Sequence, residues 1–228
     1  MSGFVLPTPM PDAPAAPALD IDIDIESLDA EDALAWACER FGQDLRIAVS
    51  FQKTSSVMID MAHRIAPTAR FFYVDTGLLF PETYATRDAL TERYGIEFER
   101  VAAGPDAWSL DANGCCADHK VDLMRTALNE ARCWVSGIRR VDSETRAEAP
   151  KFAWDERFGL WKLNPLADWD EKQVWRYIKD NHTPYNPLHD QGYPSIGCMP
   201  CTTVALEGAG ERAGRWAGTD RTECGIHG

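Results

Sequence analysis

Residues 45–77, which have the sequence LRIAVSFQKTSSVMIDMAHRIAPTARFFYVDTG, decide the fold class of this chain. The apolar run at 45–49 predicts a strand, the spacing at 55–65 predicts a helix, and residues 70–74 predict a second strand. Alternation of strands with helices implies a parallel sheet that is covered by helices on both faces.

The same alternation continues on both sides of this unit. Further helices are predicted at about residues 27–40, 81–94, 117–131 and 170–181, and further strands at about residues 97–101 and 133–136. We therefore expect an α/β fold with a mostly parallel, doubly wound, Rossmann-like sheet. Ligands of such sheets bind outside the carboxyl ends of the strands, where this sequence places Ser50, Asp75-Thr76-Gly77 and Ser136-Gly137.

The composition divides the chain into three parts. Residues 1–20 are rich in Pro and Ala and predict a disordered extension, residues 21–207 predict the α/β domain, and residues 208–228 predict a mobile C-terminal tail. The net charge of −13 belongs mainly to the start of the chain, because residues 1–39 contain nine carboxylates and no Lys or Arg. The remainder holds 27 of the 36 acidic residues against 23 basic ones. No basic stripe exists, which disfavours nucleic-acid binding.

No apolar run approaches the roughly 18 residues of a membrane span, and the N-terminus lacks the basic and apolar segments of a signal peptide. We therefore expect a cytoplasmic protein without a membrane partner. The sequence leaves the oligomeric state open and allows a homo-oligomer.

The chain contains seven cysteines, which in this setting indicate metal or redox chemistry rather than structural disulfides. Cys38 and Cys133 lie in apolar contexts that are typical of buried free thiols. The other five need a different explanation.

Four of these five form two pairs, Cys115-Cys116 and Cys198-x-x-Cys201, which only the fold could bring together. Four thiolates suit an iron–sulfur cluster or a structural zinc ion, and unrelated thiols are a third interpretation. Lys120 lies four residues after Cys116 on the predicted helix, so the two share a face and the ammonium would offset the charge of a cluster. A solvated surface lysine is the alternative.

The fifth, Cys224, lies in the tail segment Glu223-Cys224-Gly225-Ile226-His227. A thiol on a mobile tail suits a shuttle that reacts in one site and then meets a second protein. Arginines bind phosphate or sulfate oxygens through two parallel hydrogen bonds. The candidates for anion contact are Arg139, Arg140, Arg146, Arg212 and Arg215.

Taken in order, these segments resemble the assimilatory sulfonucleotide reductases, specifically the iron–sulfur adenylylsulfate reductases. The resemblance covers about residues 46–228. Its motifs are Asp75-Thr76-Gly77, Pro81-Glu82-Thr83-Tyr84, Cys115-Cys116-x-x-x-Lys120, Trp134-x-x-Gly137-x-Arg139-Arg140, Asn164-Pro165-Leu166, Pro184-Tyr185-Asn186, Ser195-Ile196-Gly197-Cys198-x-Pro200-Cys201-Thr202, Gly214-Arg215-Trp216 and Glu223-Cys224-Gly225-Ile226-His227.

The resemblance implies an adenine nucleotide α-hydrolase-like fold and the reduction of adenylyl sulfate to sulfite and AMP, with thioredoxin or a similar dithiol as the donor. It implies that a 4Fe–4S cluster is bound by Cys115, Cys116, Cys198 and Cys201, and that Cys224 is the nucleophile that carries a sulfonate intermediate.

The same resemblance implies a set of substrate contacts. The phosphosulfate would be held by Arg146, Arg212, Arg215 and His227. Ser50 would belong to the loop on the phosphate side, the backbones of Val74 and Gly137 would hold the adenine, and Lys120 would link the cluster to the substrate.

Some features depart from the family pattern or favour a rival. The loop after the first strand has Gln52-Lys53 where the family usually has Ser-Gly, and we expect Lys53 and Thr54 to contact the sulfonucleotide instead.

A 3′-phosphoadenylylsulfate or dual-substrate reductase is the main alternative, although that group generally lacks the paired cysteines. An ATP-pyrophosphatase-type enzyme would need a Ser-Gly-Gly-x-Asp-Ser loop, which is absent here. A zinc-binding nucleotide sensor is the third alternative.

Overall fold

The computed structural model describes residues 16–102, 119–206, 208, 210–216, 223 and 225–227. The helices are α1 (Ala30–Phe41), α2 (Lys53–Ile65), α3 (Pro81–Tyr94), α4 (Val121–Leu128) and α5 (Glu171–Asn181). The strands are β1 (Leu45–Ala48), β2 (Arg70–Asp75), β3 (Phe98–Ala102), β4 (Cys133–Val135), β5 (Phe152–Asp155) and β6 (Leu160–Leu163). The division of the chain at residues 20 and 207 stays a prediction.

The strands form one sheet in the order β3-β2-β1-β4-β6-β5. Every neighbouring pair is parallel except β5 and β6, which pair antiparallel at the edge of the sheet. The prediction of a mostly parallel α/β sheet is therefore confirmed. The β5–β6 hairpin was not predicted, and it turns through Gly159, whose φ is +69°.

Alternation along the central strands buries both faces of the sheet. In β2, Phe71 and Tyr73 belong to the larger core together with side chains of α1, α2 and α5. Phe72, between them, packs on the other face with Met124 of α4 and Trp134 of β4. Since helices cover both faces, the sheet is doubly wound, as the sequence predicts.

The helix ends follow local capping rules. Asp29 caps α1 by accepting a hydrogen bond from the Asp32 amide at 2.8 Å, and Asp170 forms a capping box with Gln173 at the start of α5. Pro81 occupies the first turn of α3, where its missing amide hydrogen costs nothing. In the described part of the chain, no helix is both long and apolar enough to cross a membrane.

Candidate active site

The main pocket lies at the carboxyl ends of β1, β2 and β4, where the topology predicts a ligand site. The loop after β1, the start of α2, the segment before Cys198 and the tail residues Ile226 and His227 line it. All eight of the predicted substrate contacts line this one pocket. They are Ser50, Val74, Lys120, Gly137, Arg146, Arg212, Arg215 and His227.

The loop after β1 closes without the glycine that the family pattern has. Phe51 takes the left-handed conformation, with a φ of +56°. The centroid of its buried ring lies 5.1 Å from the ring centroids of both Tyr73 and Phe98. The Ser50 amide donates to Ser55 Oγ at 2.9 Å, and the Gln52 side chain accepts from the Ile196 amide at 2.7 Å. Aromatic packing and these side-chain hydrogen bonds thus hold the loop in place.

Lys53 is buried at the start of α2, and carboxylates already engage its ammonium. Its Nζ lies 2.6 Å from Glu171 Oε1 and 2.9 Å from Glu211 Oε2, and it donates to the Pro194 carbonyl at 3.2 Å. The structure therefore does not support the expected contact between the Lys53 ammonium and a ligand. Lys53 instead ties α2 and α5 to the loop that carries Arg212.

Arg139 completes this buried charge network. Its guanidinium is 1% exposed and lies 2.9 Å from Asp142, 3.0 Å from Glu171 and 3.4 Å from Glu211. Burial raises the pKa of Glu171, but its bonds to Lys53 and Arg139 outweigh burial and leave that pKa below the ordinary value. Burial dominates at Glu211 and raises its pKa. Arg139 therefore has a structural role here.

The part of the pocket where the adenine is predicted to bind is close-packed around Gly137. A Cβ at this position would lie 3.2 Å from Thr54 Oγ1 and 3.3 Å from the methyl group of Met58. Val74, at the end of β2, is half-buried and also lines the pocket. The predicted contact of adenine with the backbones of Val74 and Gly137 stays a prediction.

Arg146 and Arg212 meet at a carboxylate of the tail. Glu223 accepts from Arg146 Nε and Arg146 Nη2, both at 2.8 Å, and from Arg212 Nη2 at 3.1 Å. The side chain of Glu223 is only 12% exposed. The residue next to the proposed nucleophile is thus held by two arginines that line the pocket and are predicted to bind the anion.

His227 lies between an indole ring and several cations. Its ring stacks on Trp134 with an interplanar angle of 7° and a centroid separation of 5.6 Å. Its Nδ1 lies 3.3 Å from Nζ of Lys162, and that ammonium lies 4.7 Å from the centroid of Trp134. Burial, together with the charges of Lys162, Arg146, Arg212 and Lys120, holds the pKa of His227 well below its ordinary value. The imidazole is therefore neutral and accepts through Nδ1.

Sequence reasoning missed Lys162. It lies on β6, in the unpredicted hairpin, and burial lowers its pKa to about 8. A lysine between apolar residues in Leu160-Trp161-Lys162-Leu163 is the signal that would have found it, had these residues been read as a strand.

The second predicted cysteine pair lies beside the pocket. Cys198 and Cys201 are buried cysteines outside any disulfide, at the start and end of the short 3₁₀ turn Met199–Cys201, which Cys198 caps, and Cys198 Sγ lies 3.2 Å from Thr76 Oγ1. Backbone pairing of Leu79 with Cys198 joins this turn to the Asp75-Thr76-Gly77 loop. Two buried thiols with a hydroxyl neighbour have the donor chemistry of a thiolate-bound metal site.

Three of the predicted site residues, Cys115, Cys116 and Cys224, lie outside the described residues. Within the described ranges, no group of three or more His, Cys, Asp or Glu side chains could hold a metal ion. Cys133 is buried and Cys38 half-buried, both as free thiols. Burial raises the pKa of Cys38 to about 11 and that of Cys133 well above its ordinary value, which suits unreactive structural thiols.

Arg215 connects the cysteine turn to the pocket. Its backbone pairs with Thr202, and its Nη1 donates to Ser195 Oγ at 3.3 Å. The guanidinium also lies 4.5 Å from the ring centroid of Trp216. A Cβ at Gly197 would approach Arg215 Nη2 to 2.3 Å, so this glycine makes room for the arginine.

Comparison with known proteins identifies the family. A family model described as phosphoadenosine phosphosulfate reductase domain matches residues 44–204. The chain is 41% identical over 206 residues to an adenosine 5′-phosphosulfate reductase of Salinibacter ruber, covering 85% of this chain and 82% of that protein. An adenosine 5′-phosphosulfate reductase of Rhodococcus erythropolis is 38% identical over 224 residues, covering 90% and 91%.

Solved structures agree. A phosphoadenylyl-sulfate reductase of Candida auris superimposes with a TM-score of 0.67 at 28% identity, covering 78% of this chain and 91% of that chain. The FMN adenylyltransferase of Candida glabrata, at 15% identity and a TM-score of 0.59, covers 80% of this chain and 69% of that one and supports the fold alone. The chain belongs to the phosphoadenosine phosphosulfate reductase family, which makes it an oxidoreductase acting on sulfur.

Proposed function

We propose that this protein reduces adenylyl sulfate to sulfite and AMP in assimilatory sulfate reduction, at the carboxyl ends of β1, β2 and β4. The observation that supports this best is the convergence of Arg146, Arg212 and His227 on one pocket. His227, three residues after Cys224, lines this pocket, and Glu223, the residue before Cys224, is bonded to Arg146, which also lines it. Relatives named adenosine 5′-phosphosulfate reductase support the choice of substrate.

In the proposed reaction, the thiolate of Cys224 attacks the sulfur of adenylyl sulfate. The new S–S bond forms as the bond between sulfur and the bridging oxygen breaks, and AMP leaves with that electron pair. A thiolate of a dithiol donor such as thioredoxin then attacks Cys224 Sγ and releases sulfite. The second thiol of the donor resolves the mixed disulfide, so the dithiol supplies the two electrons.

The described residues have separate tasks in this proposal. Arg146, Arg212 and Arg215 bind the phosphate and sulfate oxygens, and Lys120 adds positive charge where the leaving group forms. His227, which is neutral and stacks on Trp134, donates a hydrogen bond from Nε2 to the phosphosulfate. Ser50 lies on the phosphate side, and Val74 and Gly137 hold the adenine.

We further propose that Cys198 and Cys201, with Cys115 and Cys116, bind a 4Fe–4S cluster. When bound, this group would supply charge and structural order to the pocket rather than electrons to the substrate. The buried thiols of Cys198 and Cys201, and the contact of Cys198 with Thr76, support their part in it. We also propose a cytoplasmic location, as the sequence predicts.

One experiment tests the activity directly. Purified protein is exposed to adenylyl sulfate without a dithiol, and the C-terminal peptide is examined by mass spectrometry for a sulfonate on Cys224. Cys224→Ser should give no adduct in this experiment and no sulfite in a parallel assay with a dithiol donor. Cys38→Ser, the matched control, should give the adduct in the first assay and sulfite in the second. An adduct on another cysteine, or sulfite from Cys224→Ser, would refute the assignment.

Substrate choice and cofactor need their own measurements. The similarity to the Candida auris reductase makes 3′-phosphoadenylyl sulfate the competing substrate. Sulfite release from both nucleotides, measured with the same protein, decides between strict and dual specificity.

Iron and labile sulfide after anaerobic purification distinguish a cluster from zinc, since about four irons per chain exclude the zinc alternative.

A further inference from the structure

Glu223 lies in a cradle of hydrogen-bond donors formed by Ser143, Thr145, Arg146 and Arg212. Besides the two arginines, its Oε1 accepts from Ser143 Oγ at 3.3 Å and from Thr145 Oγ1 at 3.2 Å. The carboxylate thus receives five hydrogen bonds from four residues. Such a set of donors is the kind that proteins use for phosphate and sulfate groups.

Three of the four cradle residues belong to the α/β domain, and the fourth, Arg212, belongs to the C-terminal segment 208–228. Thr145 and Arg146 lie on the 3₁₀ turn Glu144–Arg146, directly after Ser143, so one short segment supplies three of the donors. Arg146 is 8% exposed, and Asp142, 3.3 Å from its Nη1, orients it from behind. Arg212 follows Glu211, which the Lys53 network holds.

The surroundings of the cradle favour an anion of higher charge than one carboxylate. Lys120, Lys162, Arg146 and Arg212 all lie close enough to lower the pKa of His227. A phosphosulfate carries two negative charges and more acceptor oxygens than Glu223. Because Arg146 and Arg212 cannot give the same hydrogen bonds to both groups, the substrate and the tail carboxylate compete.

We propose that Ser143, Thr145, Arg146 and Arg212 form one oxyanion site, that Glu223 occupies it in the substrate-free protein, and that adenylyl sulfate binds by displacing this carboxylate. The inference rests on the proposed function and adds Ser143 and Thr145 to the substrate contacts. It also makes Glu223 a built-in competitor, covalently attached to the nucleophile that must later approach the substrate.

Competition of this kind has a measurable size. The apparent dissociation constant rises by the inverse of the fraction of molecules in which the site is open. If Glu223 fills the site about nine-tenths of the time, removing its charge should tighten adenylyl sulfate binding about tenfold. Adenosine carries no anion and should bind unchanged.

The test is calorimetric binding in the Cys224→Ser background, which prevents covalent reaction. Glu223→Gln is compared with the parent and with Glu148→Gln, an exposed glutamate near the same segment. We expect tighter binding of adenylyl sulfate to Glu223→Gln only, with adenosine binding equally to all three proteins. Equal or weaker binding of adenylyl sulfate to Glu223→Gln would overturn the proposal. A parent that does not bind adenylyl sulfate at all would instead refute the proposed function.

A second variant tests the cradle without depending on Glu223 alone. Thr145→Val removes a donor that serves Glu223 in one state and substrate in the other. In the parent, Thr145→Val weakens both the competing Glu223 contact and the substrate contact, so the net change in adenylyl sulfate affinity should be small. In the Glu223→Gln background only the substrate contact is lost, and Thr145→Val should weaken adenylyl sulfate binding severalfold. The same effect of Thr145→Val in both backgrounds would contradict a shared site. Melting temperature and iron content verify that each protein is folded.

Discussion

The ammonium of Lys162 lies 3.3 Å from Nδ1 of His227, and both groups contact Trp134: the imidazole stacks on the indole, and the ammonium lies 4.7 Å from the indole centroid. This pair joins the unpredicted hairpin to the C-terminal tail. Because the Lys162 ammonium donates a hydrogen bond to Nδ1, the hydrogen of the neutral imidazole lies on Nε2. Nε2 is therefore the nitrogen of His227 that donates toward the pocket.

The lowered pKa of Lys162 predicts a pH dependence for anion binding. Below about pH 8 the ammonium is charged, and we expect it to attract the phosphate of AMP bound in the neighbouring pocket. Above this pH the charge is lost. AMP affinity should therefore fall as the pH rises from 7 to 9. Lys162→Met should bind AMP about tenfold more weakly at pH 7 and show little further loss at pH 9. Calorimetry at both pH values measures the difference.

The control for this prediction is Lys172→Met, an exposed lysine on α5. It should preserve the affinity at pH 7 and the decline toward pH 9. The groups whose charges influence Lys162 are Asp155, Arg146, Arg157 and Glu223. A decline of equal size in Lys162→Met would show that another of the pocket's groups is responsible.

Gly197 should control the position of Arg215. In Gly197→Ala, the new methyl group would overlap the Arg215 guanidinium, whose Cζ would lie only 2.5 Å away. Since Arg215 is a flexible side chain, we expect it to move away and adenylyl sulfate binding to weaken about tenfold or more. Gly210→Ala is the matched control, because a Cβ there meets nothing within 4 Å. Equal affinities for the two variants would exclude this role of Gly197.

Lys53 should contribute to stability rather than to ligand binding. Lys53→Met would leave Glu171 and Glu211 with Arg139 as their shared cation and without the Lys53 ammonium, which should lower the free energy of unfolding by roughly 2–4 kcal/mol. Urea unfolding measures this change. Lys172→Met should stay within about 0.5 kcal/mol of the parent. If Lys53→Met left the free energy of unfolding unchanged, the two carboxylates would have to bind other cations or take up protons.

The cysteine assignment predicts a selective loss of metal. Cys198→Ser should lower bound iron and labile sulfide to near zero after anaerobic purification, because a thiolate ligand is missing. Cys38→Ser should retain both, since Cys38 lies away from the pocket as a half-buried free thiol. Equal iron content in the two variants would argue against a ligand role for Cys198.

Much of the fold could be predicted because the central strands are short apolar runs followed by polar or small residues. β1, β2 and β4 each have this form, and their carboxyl ends meet as parallel topology requires. The hairpin was missed because Phe152–Asp155 and Leu160–Leu163 are four-residue strands of mixed polarity. Such segments lack both helical and alternating periodicity, and Lys162 was missed with them.

The charge pairings were beyond the reach of sequence reasoning. Nothing in the spacing of Lys53 and Glu211, 158 residues apart, indicates that they touch. Likewise, Glu223 in the sequence is only an acidic neighbour of Cys224, whereas the fold places it on Arg146, 77 residues away. Long-range ion pairs depend on tertiary geometry, which periodicity does not encode.

The strand-like pairing between the cysteine turn and the Arg215 segment has a consequence for how the enzyme would respond to damage. The backbone amide of Thr203 donates to the Gly214 carbonyl at 2.8 Å, and the backbone amide of Trp216 donates to the Cys201 carbonyl at 2.9 Å. Because coupling between two sites is reciprocal, any oxidant that distorts the thiol turn should weaken nucleotide capture, and a captured nucleotide should in turn protect the thiols. Oxidative stress would then halt sulfur reduction at the stage of substrate uptake, before a reactive intermediate could accumulate.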